Sequence, residues 1–285
     1  MKTFVLNLIR SLLFKNTISE KCLFYLTNGR KWNHFFAKLP ANYYQYSKNS
    51  IRKVIRNGII YELDISDYME WLIYFGIIAE PREVLYSLIK PGFIIFDIGS
   101  NIGETTLNFA KLTGTSGMVY SFEPDKYCFD KLLKNISNNS FKNIKPINIG
   151  LGNEEGDFFL ASENPYNKGG NKVIRNADKK PNIIIKTLDS FVNSENISKI
   201  DFIKIDVEGF EYNVLKGGIN AIAKFRPILF IEINDKLLRM QSSSAQQVVN
   251  LLEKYYSNIV IAETNEKITS TYPFNEKHFD IIAKP

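Results

Sequence analysis

From Pro91 onward, short apolar runs alternate with amphipathic stretches, and that alternation predicts a mostly parallel sheet with helices on both faces. Apolar runs at 93–98, 118–122, 144–149, 202–207 and 228–233 read as strands. Helical spacing follows at 103–111, 125–137, 210–225 and from Ser244 to about 256, where Ser244 and Gln247 form a capping box. A polar excursion over 153–182 interrupts the pattern, with short strands expected at 157–161 and 183–186. Two closing strands, 259–263 and 279–283, bring the count to seven. Before Pro91, residues 1–50 read mostly as helix and turn, and 55–65 as a hairpin around Asn57-Gly58. Residues 68–89 read as two helical pieces divided at Pro81. The expected fold is α/β, an open, doubly wound, seven-stranded sheet behind a helical and hairpin extension. In such a sheet a ligand lies beyond the carboxyl ends of the strands, at the switch point beside the first.

Composition adds a core and a charge asymmetry. The chain has 285 residues, 45% of them hydrophobic, which excludes disorder over most of its length. Cys22 and Cys128 lie far apart without metal spacing, so a reduced, cytosolic protein is the default. Residues 1–60 carry eleven lysines and arginines against one acid, Glu20, a net of +10. The remainder holds 25 basic and 29 acidic side chains, so the basic character belongs to the amino-terminal segment alone. Such an arm suggests an anionic surface (membrane lipid at the inner face, nucleic acid or a phosphate-bearing substrate) or a partner protein, and a solvated face explains it equally well. Residues 1–16 are apolar but broken by Arg10 and too short to span a bilayer, and no small-residue cleavage site follows. Phe4, Val5, Leu8, Leu12 and Leu13 share one helical face, with Arg10 and Lys15 beside it. Packing on its own domain or on a partner subunit is favoured for that face over a membrane surface.

The first strand runs into Gly99-Ser100-Asn101-Ile102-Gly103 and then a helix, an arrangement that aims backbone N–H groups at a ligand. A dinucleotide site uses Gly-x-Gly-x-x-Gly because the pyrophosphate approaches the backbone closely. Here Asn101 replaces the middle glycine, and Asp97 stands two residues before the first. A carboxylate there repels a pyrophosphate and suits a cofactor with an ammonium end and no phosphate. S-adenosylmethionine has both properties. Glu123 ends the second strand, where a carboxylate accepts hydrogen bonds from ribose hydroxyls. A nicotinamide dinucleotide shares that acid and is the nearest rival. Each acid alone also has a structural explanation at a helix start.

A third cluster lies in IDFIKIDVEGFEYNVLKGG, where Lys204, Asp206 and Glu208 alternate and so share one side of an extended strand. Glu232 ends the next strand at a comparable level. Carboxylates at strand ends can orient a substrate hydroxyl and accept its proton. The plainer alternative pairs Lys204 with Asp206 and places Glu208 at a helix start. No metal is expected, because no histidine joins the acids. His34 and His278 carry no signal beyond surface exposure.

From about 79 to 234 these motifs resemble the FkbM-type S-adenosylmethionine-dependent methyltransferases. The resemblance rests on FDIGSNIGETT, VYSFEPDKYCFDKLLKN, INIGLGNEEGDFFL, KTLDSF, IKIDVEGFEYNVLKGG and RPILFIEI, of which IKIDVEGFE after FEPD is the most specific. It implies a class I, Rossmann-like methyltransferase domain over 79–285 behind a basic extension over 1–78. It also implies methyl transfer to a hydroxyl of a sugar, glycan, glycolipid or related small molecule. Asp97, Gly99, Asn101 and Gly103 then belong to the cofactor's methionine end, and Glu123 to its ribose. Thr105 and Pro124 join the cofactor contacts, and Gly150 and Leu151 fall on the adenine side. Asp206, Glu208 and Glu232 lie at the methyl-transfer end. Gly169, Gly170 and Asn171 of NPYNKGGNK edge the active site.

The expected reaction is an in-line displacement, with Asp206 the first choice to accept or orient the hydroxyl proton and Glu232 the second. The rivals are an NAD-dependent oxidoreductase, a non-catalytic Rossmann-like binding protein and a nucleic-acid methyltransferase. No amine-methylation motif or strong nucleic-acid signal supports the last. The lysine- and asparagine-rich composition fits an AT-rich bacterial genome. The sequence leaves the acceptor and the oligomeric state open.

Overall fold

The computed structural model of the chain describes residues 7, 10, 17–78, 82–161, 166, 170–174 and 179–285. Described residues up to Arg82, with Tyr166, form one compact unit, and those from Glu83 to Pro285 form a second. The apolar face over 1–16, Pro81 and Gly169 lie outside the described residues, apart from Asn7 and Arg10.

In the first unit, helix Thr17–Thr27 and helix Tyr68–Phe75 accompany an antiparallel hairpin of Ile51–Arg56 and Ile59–Asp64. Asn57 and Gly58 take φ of 51° and 74°, the pair of positive values that a tight two-residue hairpin turn demands. The inward positions Val54, Ile59, Tyr61 and Leu63 are buried with Leu23, Trp71 and Phe75. Glu20 is buried with its charge answered by Arg52 at 2.7 Å and by the Tyr74 hydroxyl at 2.9 Å.

The second unit is built on seven strands: β1 Ile94–Ile98, β2 Met118–Phe122, β3 Ile144–Ile147, β4 Phe202–Ile205, β5 Ile228–Asn234, β6 Asn258–Ile261 and β7 His278–Lys284. All seven fall on the apolar runs of the sequence. Their order is β6-β7-β5-β4-β1-β2-β3, with β7 alone antiparallel to its neighbours. The chain therefore leaves β1 in one direction towards β2 and β3 and resumes on its other side with β4. That reversal makes the switch point at the carboxyl ends of β1 and β4. Ile95, Phe96, Val119, Phe202, Ile203, Leu229 and Ile231 are buried, as strands covered on both faces require.

Three features depart from the expected pattern. The helix expected over 210–225 is two helices, Glu211–Gly217 and Ile219–Phe225. A β-carbon at Gly217 would lie 1.8 Å from the Gly152 carbonyl oxygen, and one at Gly218 2.5 Å from Leu188, so the break sits where two glycines admit close neighbours. The polar excursion contributes a second sheet in the order Lys172–Ile174, Gly156–Ala161, Ile183–Lys186, Gly150–Leu151. Only its two longer strands were foreseen, because runs of two or three residues carry no period. Helix Asp235–Met240, capped by the Asn234 side chain on Leu237 N–H, is likewise absent from the pattern, because six residues make fewer than two helical turns.

Candidate active site

The glycine turn after β1 is fixed from below. Gly99 and Ser100 both donate their N–H groups to the Phe122 carbonyl at 3.0 Å, tying the turn to the end of β2. Gly99, Asn101 and Gly103 have φ of 80°, 49° and 90°. A β-carbon at Gly99 would stand 1.8 Å from the Asp206 carbonyl oxygen, and one at Gly103 2.4 Å from Leu132 Cδ1. Both glycines are thus demanded by packing as well as by backbone conformation.

Asp97 is fully buried at the end of β1. Its Oδ2 accepts from the Thr105 and Thr106 hydroxyls at 2.8 and 2.6 Å, and its Oδ1 makes no hydrogen bond. Burial raises the Asp97 pKa, and Lys204, 3.8 Å away, and the two hydroxyls work against that rise. Thr105 therefore serves the site by holding Asp97. Glu123, at the end of β2, accepts from Asn101 N–H through Oε2 and from Asp125 N–H through Oε1, both at 2.8 Å. Burial pushes it up to about 7. Pro124 follows, and the Asn148 amide donates to the Glu123 and Pro124 carbonyls at 2.7 and 3.1 Å, a brace the sequence did not reveal. A β-carbon at Gly150 would lie 3.5 Å from Pro124 Cβ, whereas the Leu151 side chain is buried in the core, so only its backbone can face a ligand.

Across the switch point, Lys204 reaches Asp206 Oδ2 at 3.0 Å and the Gly99 carbonyl at 2.9 Å, the pairing that alternate spacing allowed. Asp206 is hydrogen-bonded to Glu232, the next acid along the sheet. Burial first, then the charges of Asp206, Glu208 and Glu211, raise the Glu232 pKa well above the ordinary carboxylate range. Glu208 sits in the turn after β4 with a left-handed φ of 54°. Glu211, which the sequence reading passed over, is buried beneath that turn. Its Oε1 accepts from Val207 and Gly209 N–H at 3.1 and 3.0 Å, while Oε2 has no partner, and burial raises it to about 7.

His278 corrects the sequence reading. Its Nε2 lies 2.8 Å from Glu232 Oε1, so this histidine has a carboxylate partner in the site. The antiparallel pairing explains it, since Glu232 faces Asp280 and His278 stands two residues away on the same face.

Of the substrate-loop residues, Gly170 and Asn171 precede strand Lys172–Ile174. Asn171 donates to Asp125 Oδ2 at 3.0 Å, and Gln241 donates to the Val173 carbonyl at 2.9 Å. This segment is therefore tied at one end to the residues after β2 and at the other to those after β5. Among the described residues no group of three or more His, Cys, Asp or Glu is placed to hold a metal. A cavity of about 360 Å³ lies beside Pro124 and Asn148, lined also by Asp157, Lys180 and Asn182, away from the carboxylates of β4 and β5.

Two carboxylates at the ends of β1 and β2, one with a buried oxygen lacking a hydrogen bond, fit a cationic, phosphate-free cofactor. They oppose a pyrophosphate. Two more carboxylates at the ends of β4 and β5 stand where a hydroxyl proton could be taken.

The chain matches the methyltransferase FkbM domain over residues 97–258. It is 34% identical to hexuronic acid methyltransferase AglP of Haloferax volcanii over 131 residues, 45% of this chain and 51% of that protein. It is 23% identical to 2-O-methyltransferase NoeI of Sinorhizobium fredii over 188 residues, 61% of this chain and 76% of that protein. The chain thus spans about half the length of AglP. A solved FkbM methyltransferase from Methylobacillus flagellatus overlays 74% of this chain and 52% of its own, at 18% identity and a TM-score of 0.41.

Proposed function

For a chain that belongs to the FkbM methyltransferase family, with an S-adenosylmethionine-dependent domain of class I architecture, we propose O-methylation of a sugar, uronic acid or glycan. The observation that carries this reading is the convergence of Asp97, Glu123, Asp206 and Glu232 at the carboxyl ends of four strands flanking one switch point. The family supports the donor, and the relatives' names support an acceptor of sugar type.

S-adenosylmethionine supplies, when bound, an electrophilic methyl group on a sulfonium centre. Asp97 and the Gly99–Gly103 turn would hold its amino-acid end and Glu123 its ribose, with Pro124 and the Gly150–Leu151 backbone on the base side. Asp206 receives or orients the acceptor's hydroxyl proton. Lys204 keeps that carboxylate facing the cleft, and Glu232 shares the proton, because two carboxylates in hydrogen-bond contact do not both ionise. Gly170 and Asn171 form the rim on the acceptor side. Glu208 lines the same turn and adds negative potential.

Purified protein should be stabilised by S-adenosylmethionine and S-adenosylhomocysteine and not by NAD in parallel thermal titrations. Labelled donor incubated with uronic-acid glycans, neutral glycans, lipids and RNA should place label on the glycans. Stabilisation by NAD alone, or label on RNA alone, would overturn the reading.

The first unit presents Trp32 and Phe35, each about two-thirds exposed, near the exposed basic pair Arg30 and Lys31. That combination supports peripheral contact with an anionic lipid surface. No helix among the described residues is long and apolar enough to cross a membrane. Flotation with anionic but not zwitterionic vesicles, lost in W32A/F35A, is the expected result.

A further inference from the structure

Every hydroxyl methylated releases one proton, and the carboxylate that takes it has to be emptied before the next turnover. Asp206 faces the cleft, and a hydroxyl seated on it covers its open side. Among its contacts are Lys204, already a full cation, and Glu232. Beyond Glu232 stands His278, on the strand across from it, its side chain 55% exposed. A line of polar contacts therefore runs from the cleft through Asp206, Glu232 and His278 to bulk water.

We propose that His278 is the outlet for this proton, acting through Glu232. The step is a proton transfer without redox change. The Glu232 O–H bond breaks as a bond to His278 Nε2 forms, the vacancy on Glu232 is filled from Asp206, and the imidazolium returns its charge to water. Imidazole suits this work because its two ring nitrogens can take a proton on one side and release one on the other. The charged groups facing Glu232 are Asp206 and Glu208 from the end of β4, Glu211 from the helix behind it, and Asp280 directly opposite on β7. All of these are acids and disfavour an ionised Glu232, and His278 is a cationisable group in direct contact with it. The inference rests on the reading of the site as a hydroxyl methyltransferase centre.

The test compares H278Q, H278L and the natural protein. Glutamine keeps a hydrogen-bond donor to Glu232 and cannot carry a proton, so a merely structural histidine would be replaced without loss. The outlet role predicts kcat lowered by about a hundredfold in H278Q, with acceptor KM unchanged. It also predicts that the deficit shrinks as pH rises, and that free imidazole restores turnover. A kcat and pH profile matching the natural protein overturn the inference, as does a deficit that imidazole leaves untouched. A second readout needs no activity. Carbon-13 NMR of the Glu232 carboxyl should show its titration midpoint displaced in H278L from that of the natural protein and moved back towards it in H278Q, which restores a hydrogen-bond partner. A midpoint equal in all three proteins overturns the coupling. If the natural protein methylates nothing, the functional reading falls and the NMR titration still decides the coupling.

Discussion

The two sides of the switch point handle negative charge differently. At the ends of β1 and β2, carboxylates are met by donors: two threonine hydroxyls on Asp97, two backbone N–H groups on Glu123. At the ends of β4 and β5 donors are present too, Lys204 on Asp206 and two N–H groups on Glu211, but there the carboxylates also crowd one another, with Asp206 on Glu232 and Glu208 and Glu211 close by. Donors fix a carboxylate in place as a recognition element. Carboxylates packed together must share protons, and sharing keeps a group ready to accept one. On the proposed reading, one side holds the cofactor and the other takes the proton.

Breaking the reactive side should have the largest effect. Asp206→Asn should lower turnover by about a thousandfold while leaving S-adenosylmethionine affinity within a factor of two or so, read by single-turnover kinetics and calorimetry. Equal losses of both would erase the distinction between the sides. Gly99→Ala attacks the joint between them, because the new methyl would meet the Asp206 carbonyl in a residue already at positive φ. It should cost about 3 kcal/mol of stability in urea unfolding. Glu211 sharpens the contrast through pH. Its carboxyl is raised from 4.5 to about 7 in the fold, so between those values the folded chain keeps a proton that the unfolded chain has released. Stability accordingly falls as pH climbs through that window, by about 3 kcal/mol for such a group. Glu211→Gln, which preserves acceptance from Val207 and Gly209, should flatten that fall. On the donor-rich side the effect is smallest. Thr106→Val removes one of two hydroxyls from Asp97 and should cost about 1–2 kcal/mol and weaken cofactor binding modestly, with kcat nearly unchanged.

The turn and the two acids of the donor-rich side are legible in the sequence because they are local, whereas the Thr106 and Asn148 contacts are not. A glycine turn, the acid two residues before it and the acid ending the next strand are each read from a few neighbouring residues. Asp206 and Glu232 were legible as strand-end acids. Their linkage was not, because it depends on β4 lying beside β5. His278 was missed for a related reason. Its partner is 46 residues away, across an antiparallel pair whose register the pattern of apolar positions does not specify. Glu211 was hidden inside a quoted motif, since a glutamate at a helix start is ordinarily solvated and this one bends back under the preceding turn. The second sheet escaped because two of its four strands are two and three residues long.

The central position of β1 bears on how the chain reaches this state. Its own N–H at Ile94 bonds the carboxylate of Asp201, 107 residues later. β2 and β3 follow β1 closely and can pair with one edge early, while the other edge waits for Phe202–Ile205 to be synthesised and to close a long loop. Until then Ile94–Ile98 is an open apolar edge that a neighbouring chain can occupy. The register that sets Asp97 beside Lys204 thus closes the chain over a long loop, a non-local pairing of the kind that slows folding.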